Sequence, residues 1–224
     1  MIITYDEKGN ELFKTYLSKT IAVDACVSPD NAEFAYAEVN NSGTTIQSNI
    51  KIISIKDVKE KNTEPKYEYN AVQGSLILRI KYQDKSRLIC MYDDSIHKFE
   101  TGVDVELTKL NEDNPKITFA DIELSNYVFR TYEKSTSLFS ADTIIEMQNT
   151  SNGKENVYTI EEVAKSVVSN NNVIAVNLGN EVYFVETNAW LIKRYSSSQV
   201  KEKIILGDGV AGIIYSDKIE IVNL

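Results

Sequence analysis

Histidine is the side chain best suited to moving protons near neutral pH, and this sequence contains one, His97, within the run SIHKFE (95–100). It sits in an alternating, strand-like pattern, which makes it a surface or hydrogen-bonded sheet residue rather than a catalytic base. One histidine excludes zinc sites built on paired imidazoles, and no Cys-x-x-Cys pair stands in for them. A Ser–His–Asp triad needs only one histidine, but no nucleophile-elbow sequence presents a serine to it. Cys26 and Cys90 each lie inside an apolar run and read as buried free thiols packing as small hydrophobes. Two cysteines do not make a disulfide framework.

The remaining candidates are loops. LGDGVAG (206–212) is Gly-rich but lacks the Lys and Ser/Thr of a phosphate loop and the helix that follows a dinucleotide site, so it reads as a tight turn between strands. YDDS (92–95), NEDNP (111–115) and TSNGKEN (150–156) are acidic or Asn-rich, yet none has the oxygen spacing of a calcium loop, and they read as connections. Paired carboxylates for glycoside hydrolysis cannot be singled out among 33 acids. The 13 tyrosines are strand-bound and expected to pack between sheets, as is Trp190 at the head of WLIKRY. No catalytic, cofactor-binding or metal-ligating residue is assigned, and no cofactor is implied.

The elements around these residues are more informative. The chain has 224 residues and a formal charge of −9, which argues against a nucleic-acid partner because phosphate contacts need clustered Lys and Arg. KDVKEKN (56–62) interleaves bases with acids and reads as a solvated loop. No secretory signal opens the sequence, and no apolar run reaches the roughly 18–20 residues that span a bilayer, so the chain as written reads as soluble, with no membrane contact of its own. Short apolar runs rich in Ile, Val, Tyr and Phe alternate with Asn, Asp, Gly and Ser, the grammar of strands and turns. Helical spacing competes only at TIEEVAKSVVS (159–169), where strand–turn–strand is preferred because strands flank it.

These strands recur as a unit: strand, tight turn, strand, then a third and usually a fourth. Five copies have first turns near Asp30, Asp84, Asn126, Asn171 and Asp208, spaced 54, 42, 45 and 37 residues apart. Four strands per roughly 45 residues is the period of a β-propeller blade, which a sandwich gives no reason for. The expected fold is therefore an all-β propeller of about five four-stranded blades in a single domain, 1–224. Its units fall at about 1–19 (partial), 20–73, 74–110, 115–161, 162–199 and 200–224. MIITYDEKGNEL resembles the middle of a blade, so an open arc of a larger ring is preferred, although ELFKTYL could instead complete the fifth blade. An arc leaves blade faces and edges uncovered and predicts self-association.

SPDNAEFAY (28–36) resembles the Ser-Pro-Asp-Gly turn and following strand of YVTN and WD40-type propellers, and YDEKGNEL (5–12) resembles their outer-strand turn. Across its length the pattern is similar to an uncharacterised family of membrane-anchored propellers of Gram-positive bacteria, here its carboxy-terminal part. Asn31 replaces the usual turn Gly, which Asn can do because it tolerates left-handed backbone. The resemblance implies an extracytoplasmic, membrane-tethered propeller and carries over no site residues. The expected function is a non-catalytic scaffold whose loops bind a protein or glycan at the bacterial cell surface. The alternative is a carbohydrate-active hydrolase or lyase working at the mouth of the channel.

Overall fold

The computed structural model describes residues 1–40, 42–110, 116–137 and 140–224. They form two compact units, Met1–Lys109 and Leu110–Leu224. The first unit opens with an antiparallel hairpin, β1 (Ile2–Tyr5) and β2 (Glu11–Thr15). A four-stranded sheet follows, built from β3 (Thr20–Val27), β4 (Glu33–Asn40), β5 (Ser48–Ser54) and β6 (Tyr67–Asn70), with a short helix α1 (Ile55–Lys59) between the last two. A second such sheet contains β7 (Ile77–Tyr82), β8 (Arg87–Tyr92), β9 (Ser95–Glu100) and β10 (Val103–Lys109).

The second unit repeats the plan. One sheet holds β11 (Ile117–Asp121), β12 (Tyr127–Ser137), β13 (Ser140–Asn149) and β14 (Glu155–Ile160), and the next holds β15 (Ser166–Asn170), β16 (Val173–Asn177), β17 (Glu181–Glu186) and β18 (Leu191–Ser196). A three-stranded sheet of β19 (Lys203–Leu206), β20 (Val210–Ile214) and β21 (Ile219–Asn223) comes last. In every sheet, strands adjacent in sequence pair antiparallel, so each is a meander. Consecutive meanders of this kind are the blades of a β-propeller, and the fold is all-β as the period predicts.

Burial explains why these stretches are strands. Strand β4 is buried on both faces because core residues pack on either side of it, with Phe34 through Glu38 all buried. Outer strands alternate instead: β6 exposes Glu68 and Asn70 and half-buries Tyr67 and Tyr69. In the first unit, Ala35, Ile50, Ile80, Leu88 and Phe99 form one core, and Phe13, Phe34, Ile53 and Val58 another beneath the opening hairpin. In the second, Phe129, Ile145, Met147, Ile174 and Val176 form one layer, and Ala175, Phe184, Ile204, Ala211 and Ile213 the next.

Turn chemistry follows the sequence closely. Asn31, Asn126 and Asn171 each take positive φ, 56°, 56° and 52°, in the first turn of their units. Around Asn31, the Ser28 hydroxyl donates to Asp30 Oδ1 (2.8 Å) and accepts from the Glu33 amide (2.9 Å), so the turn is tied at both ends. The segment 159–169 is strand–turn–strand, with β14 ending at Ile160 and β15 starting at Ser166. KDVKEKN is not wholly loop, however. Ser54 caps a five-residue helix by accepting from the Asp57 amide (3.2 Å), and Val58 drops into the core to hold it there.

Candidate functional site

A cavity of about 450 Å³ lies in the first unit where three segments meet. The β1–β2 turn supplies Thr4 through Lys8, Asn10 and Leu12, the strands flanking the first blade turn supply Val27 and Phe34 with Asn31 between them, and α1 supplies Ile55 and Lys59. Each is placed by local structure. Asp6 Oδ1 accepts from the amides of Lys8 (2.9 Å) and Asn10 (2.8 Å), and Oδ2 from Asn10 Nδ2 (2.8 Å), which closes the hairpin into a rim. These bonds, with the Lys59 charge nearby, hold the Asp6 carboxyl below its ordinary range. Gly9, at φ 81°, lets the same turn reverse direction.

The floor is aliphatic and aromatic, with Leu12, Phe34 and Ile55 packed against the core beneath and Phe13 meeting Phe34 edge-on at 5.0 Å between ring centres. Two apolar side chains are left open to solvent there, Tyr5 at 57% and Val27 at 52% exposed. The Thr4 hydroxyl is buried without a hydrogen-bond partner among the described residues, which leaves one polar contact unmade at the cleft wall. The result is an open cleft with an apolar floor, a rim of both charges and a few polar groups able to fix orientation, the general form of a binding site. Nothing in it is arranged as nucleophile and base.

The residues singled out in the sequence lie elsewhere. His97 is in β9, with Nδ1 2.7 Å from Asp104 Oδ1 and Nε2 3.1 Å from Ser95 Oγ. The order Asp104–His97–Ser95 matches that of a triad, but the Ser95 hydroxyl donates its proton to Asp94 Oδ1 (2.8 Å), and Ser95 is buried. The four groups tie β9 to its turn and to β10. Of the loops, YDDS is the β8–β9 connection, with Asp93 accepting from the Leu76 amide (2.8 Å). TSNGKEN is the β13–β14 connection, anchored by Asn149 Oδ1, and LGDGVAG contains the β19–β20 turn, with Gly209 at φ 68°. NEDNP (111–115) lies outside the described residues. Among those described, no group of three or more His, Cys, Asp or Glu is placed to hold a metal ion.

Cys26 and Cys90 are free thiols, and burial pushes both up, Cys26 to about 12. Trp190 departs from expectation. It is 70% exposed, because the β17–β18 turn holds its backbone outward through the Asn188 side chain (2.9 Å) rather than folding it onto a sheet. The tyrosines divide: Tyr36, Tyr82, Tyr92 and Tyr215 are buried, while Tyr5 and Tyr16 are exposed. The cleft as a whole is not legible in the sequence, since its wall is assembled from residues up to 55 positions apart (Thr4 and Lys59). Its local signs are the turns in YDEKGNEL and SPDNAEFAY and the SIKD run at 54–57, a capping pattern that starts α1.

The consecutive meanders define a β-propeller, with an open cleft in its first unit. No family model matches the chain, and no curated protein matches it. Among solved structures it is similar to a prolyl endopeptidase, with a TM-score of 0.60 and 15% identity over 97% of this chain and 34% of that one. It is also similar to prolyl oligopeptidase B from Galerina marginata (TM-score 0.52, 15% identity, 91% and 33% covered) and to Kluyveromyces lactis Hsv2p (TM-score 0.51, 11% identity, 90% and 74% covered). The chain spans about a third of the length of each peptidase. At these identities the likeness carries the fold alone, and the shared fold is the propeller. No helix among the described residues is long and apolar enough to cross a membrane.

Proposed function

We propose that this protein is a non-catalytic binding scaffold, a propeller whose cleft beside the opening hairpin receives a segment of a partner protein. The observation that carries this is the cleft's composition: exposed Tyr5 and Val27 over an aliphatic and aromatic floor, with the unpartnered Thr4 hydroxyl in the wall. Leaving apolar side chains open while their neighbours are fully buried costs about 25 cal/mol per Å² of uncovered surface, which a bound side chain recovers. The apolar floor of Leu12, Phe34 and Ile55 supports an apolar peptide side chain as the group received there. The resemblance to membrane-anchored propellers makes the bacterial cell surface the setting, with the loops as the presenting face.

The test is selection of a random 12-residue peptide library on the immobilised protein, followed by titration of the enriched peptides by fluorescence anisotropy. Peptides centred on an apolar residue are expected, and Val27→Asp and Tyr5→Ala are each expected to weaken them by about tenfold or more. Both side chains are exposed, so the fold survives either change. Enriched peptides that bind Val27→Asp as tightly as the parent would overturn the assignment. So would a glycan array bound through the cleft, or turnover of a polysaccharide substrate lost on the same substitutions.

A further inference from the structure

The cleft continues past α1 into a second hollow of about 430 Å³, with Asn31, Ile55 and Lys59 lining both. This hollow is cationic: Lys56, Lys59 and Lys66 line it against a single carboxylate, Glu33, in a chain whose formal charge is −9. Local structure sets the lysines there. The Ile55 amide donates to the Ala32 carbonyl (2.9 Å) and Ser54 caps the helix, so α1 starts against the first turn of its own sheet. Val58 is buried, which turns Lys56 and Lys59 outward, and residues three apart share one helix face. The three ammonium groups differ in their partners. Lys66 pairs with Glu33 and lies over the Tyr67 ring, 5.3 Å from its centre. Among the described residues, Lys56 and Lys59 make neither an ion pair nor a side-chain hydrogen bond. The Lys59 charge reaches Asp6 across the cleft, but that carboxylate already accepts from the amides and side chain of its own turn.

We propose that the partner segment received in the cleft carries a carboxylate beside its apolar anchor, and that Lys56 and Lys59 bind that carboxylate. The inference rests on the peptide-binding reading of the cleft and adds the chemistry of the partner, an acidic segment held in one direction. Two ammonium groups on one helix face, with no carboxylate paired to either, set up a local positive field that an acidic group neutralises. A basic segment would meet these lysines as a like charge, and an uncharged one would leave them without a partner. The opposite rim carries Asp6 and Glu7, which repel an acid, so the carboxylate faces α1 while the anchor rests on Leu12, Phe34 and Ile55. Ile55 lines both hollows, which places the two contacts side by side and the carboxylate within a few residues of the anchor.

The probes are the peptides selected on the immobilised protein, each remade with its Asp and Glu changed to Asn and Gln, and separately with its C-terminus amidated. Removing the carboxylate is expected to weaken binding by about fivefold in anisotropy titrations, the scale of two exposed ion pairs. Loss on side-chain replacement assigns the group to Asp or Glu, and loss on amidation assigns it to the peptide C-terminus. Raising salt from about 50 to about 500 mM should erase the advantage of the acidic version while leaving the neutral one in place. With Lys56→Gln and Lys59→Gln combined, acidic and neutral versions should bind equally, and Lys56→Glu with Lys59→Glu should reverse the preference; both positions are exposed and keep good helix formers. Selected peptides with no acid near the anchor, or an acidic advantage that survives the glutamine pair, would overturn the carboxylate assignment and leave the cleft standing. Failure of any selected peptide to bind through Val27 would remove the cleft reading and this inference with it.

Discussion

Lys201 is an unusual residue for a protein of this size, a lysine only 7% exposed, and it gives the sharpest stability prediction. Its ammonium donates to the carbonyls of Gly179 at 2.6 Å, Ser197 at 2.8 Å and Asn180 at 3.3 Å, so it bridges the loop before β17 and the segment after β18. Burial pulls the ammonium below its ordinary range. Lys201→Met keeps the length and apolar stem but removes the donors. A charged hydrogen bond contributes about 1.5–3 kcal/mol. Asn180 is exposed and its carbonyl can take water instead, while Gly179 and Ser197 are half-buried and less easily compensated. The desolvation of the ammonium is relieved at the same time, and the balance is a loss of about 2–3 kcal/mol. For a unit of this size that is about 10 °C in the melting midpoint, readable by far-ultraviolet circular dichroism or in the urea midpoint at constant slope. A loss under about 0.5 kcal/mol, the spread of ordinary surface substitutions, would refute the reasoning.

Other sites carry their own tests. Glu38, 3% exposed, accepts from Lys51 Nζ (2.8 Å) and Thr20 Oγ1 (2.7 Å); burial alone would raise its carboxyl, but these partners outweigh it and hold it below the ordinary range. A depressed carboxyl stabilises the fold above its unfolded value of about 4.3 and loses that contribution as pH falls through the folded one. Glu38→Gln should therefore cost about 2 kcal/mol at pH 7, with the gap to the parent closing below about pH 4 in denaturant titrations. Ala189 sits at φ 66°, and Ala189→Gly should stabilise by about 0.5 kcal/mol, because relief of about 1–2 kcal/mol of backbone strain exceeds the added chain entropy. Cys26 and Cys90 should resist Ellman's reagent at pH 8 in the folded protein and react in full once it is unfolded.

What was readable in the sequence was whatever depends on neighbours along the chain. The short β-branched apolar runs in SVVSN and VIAVN and the turn asparagines report local backbone, so the repeat of β-meanders followed from them. Helix α1 was missed because five residues give no helical period; only the Ser54 cap and the single buried Val58 mark it. Trp190 was misjudged because an aromatic beside a strand usually packs, and its outward turn depends on Asn188 and on left-handed Ala189, which composition does not show. The cleft depends on three segments meeting, and the Asp104–His97–Ser95–Asp94 linkage on the register of β9 with β10. Neither can be read from residue spacing alone.

Binding through the cleft is the central claim, and its most direct measurement is a ¹⁵N nuclear magnetic resonance titration of the protein with the tightest selected peptide. Saturable shifts confined to Thr4, Tyr5, Leu12, Val27, Asn31, Ile55 and Lys59 and their immediate neighbours are the predicted result. Shifts centred on the Trp190 turn or the His97 strand, or none at saturating peptide, would contradict it.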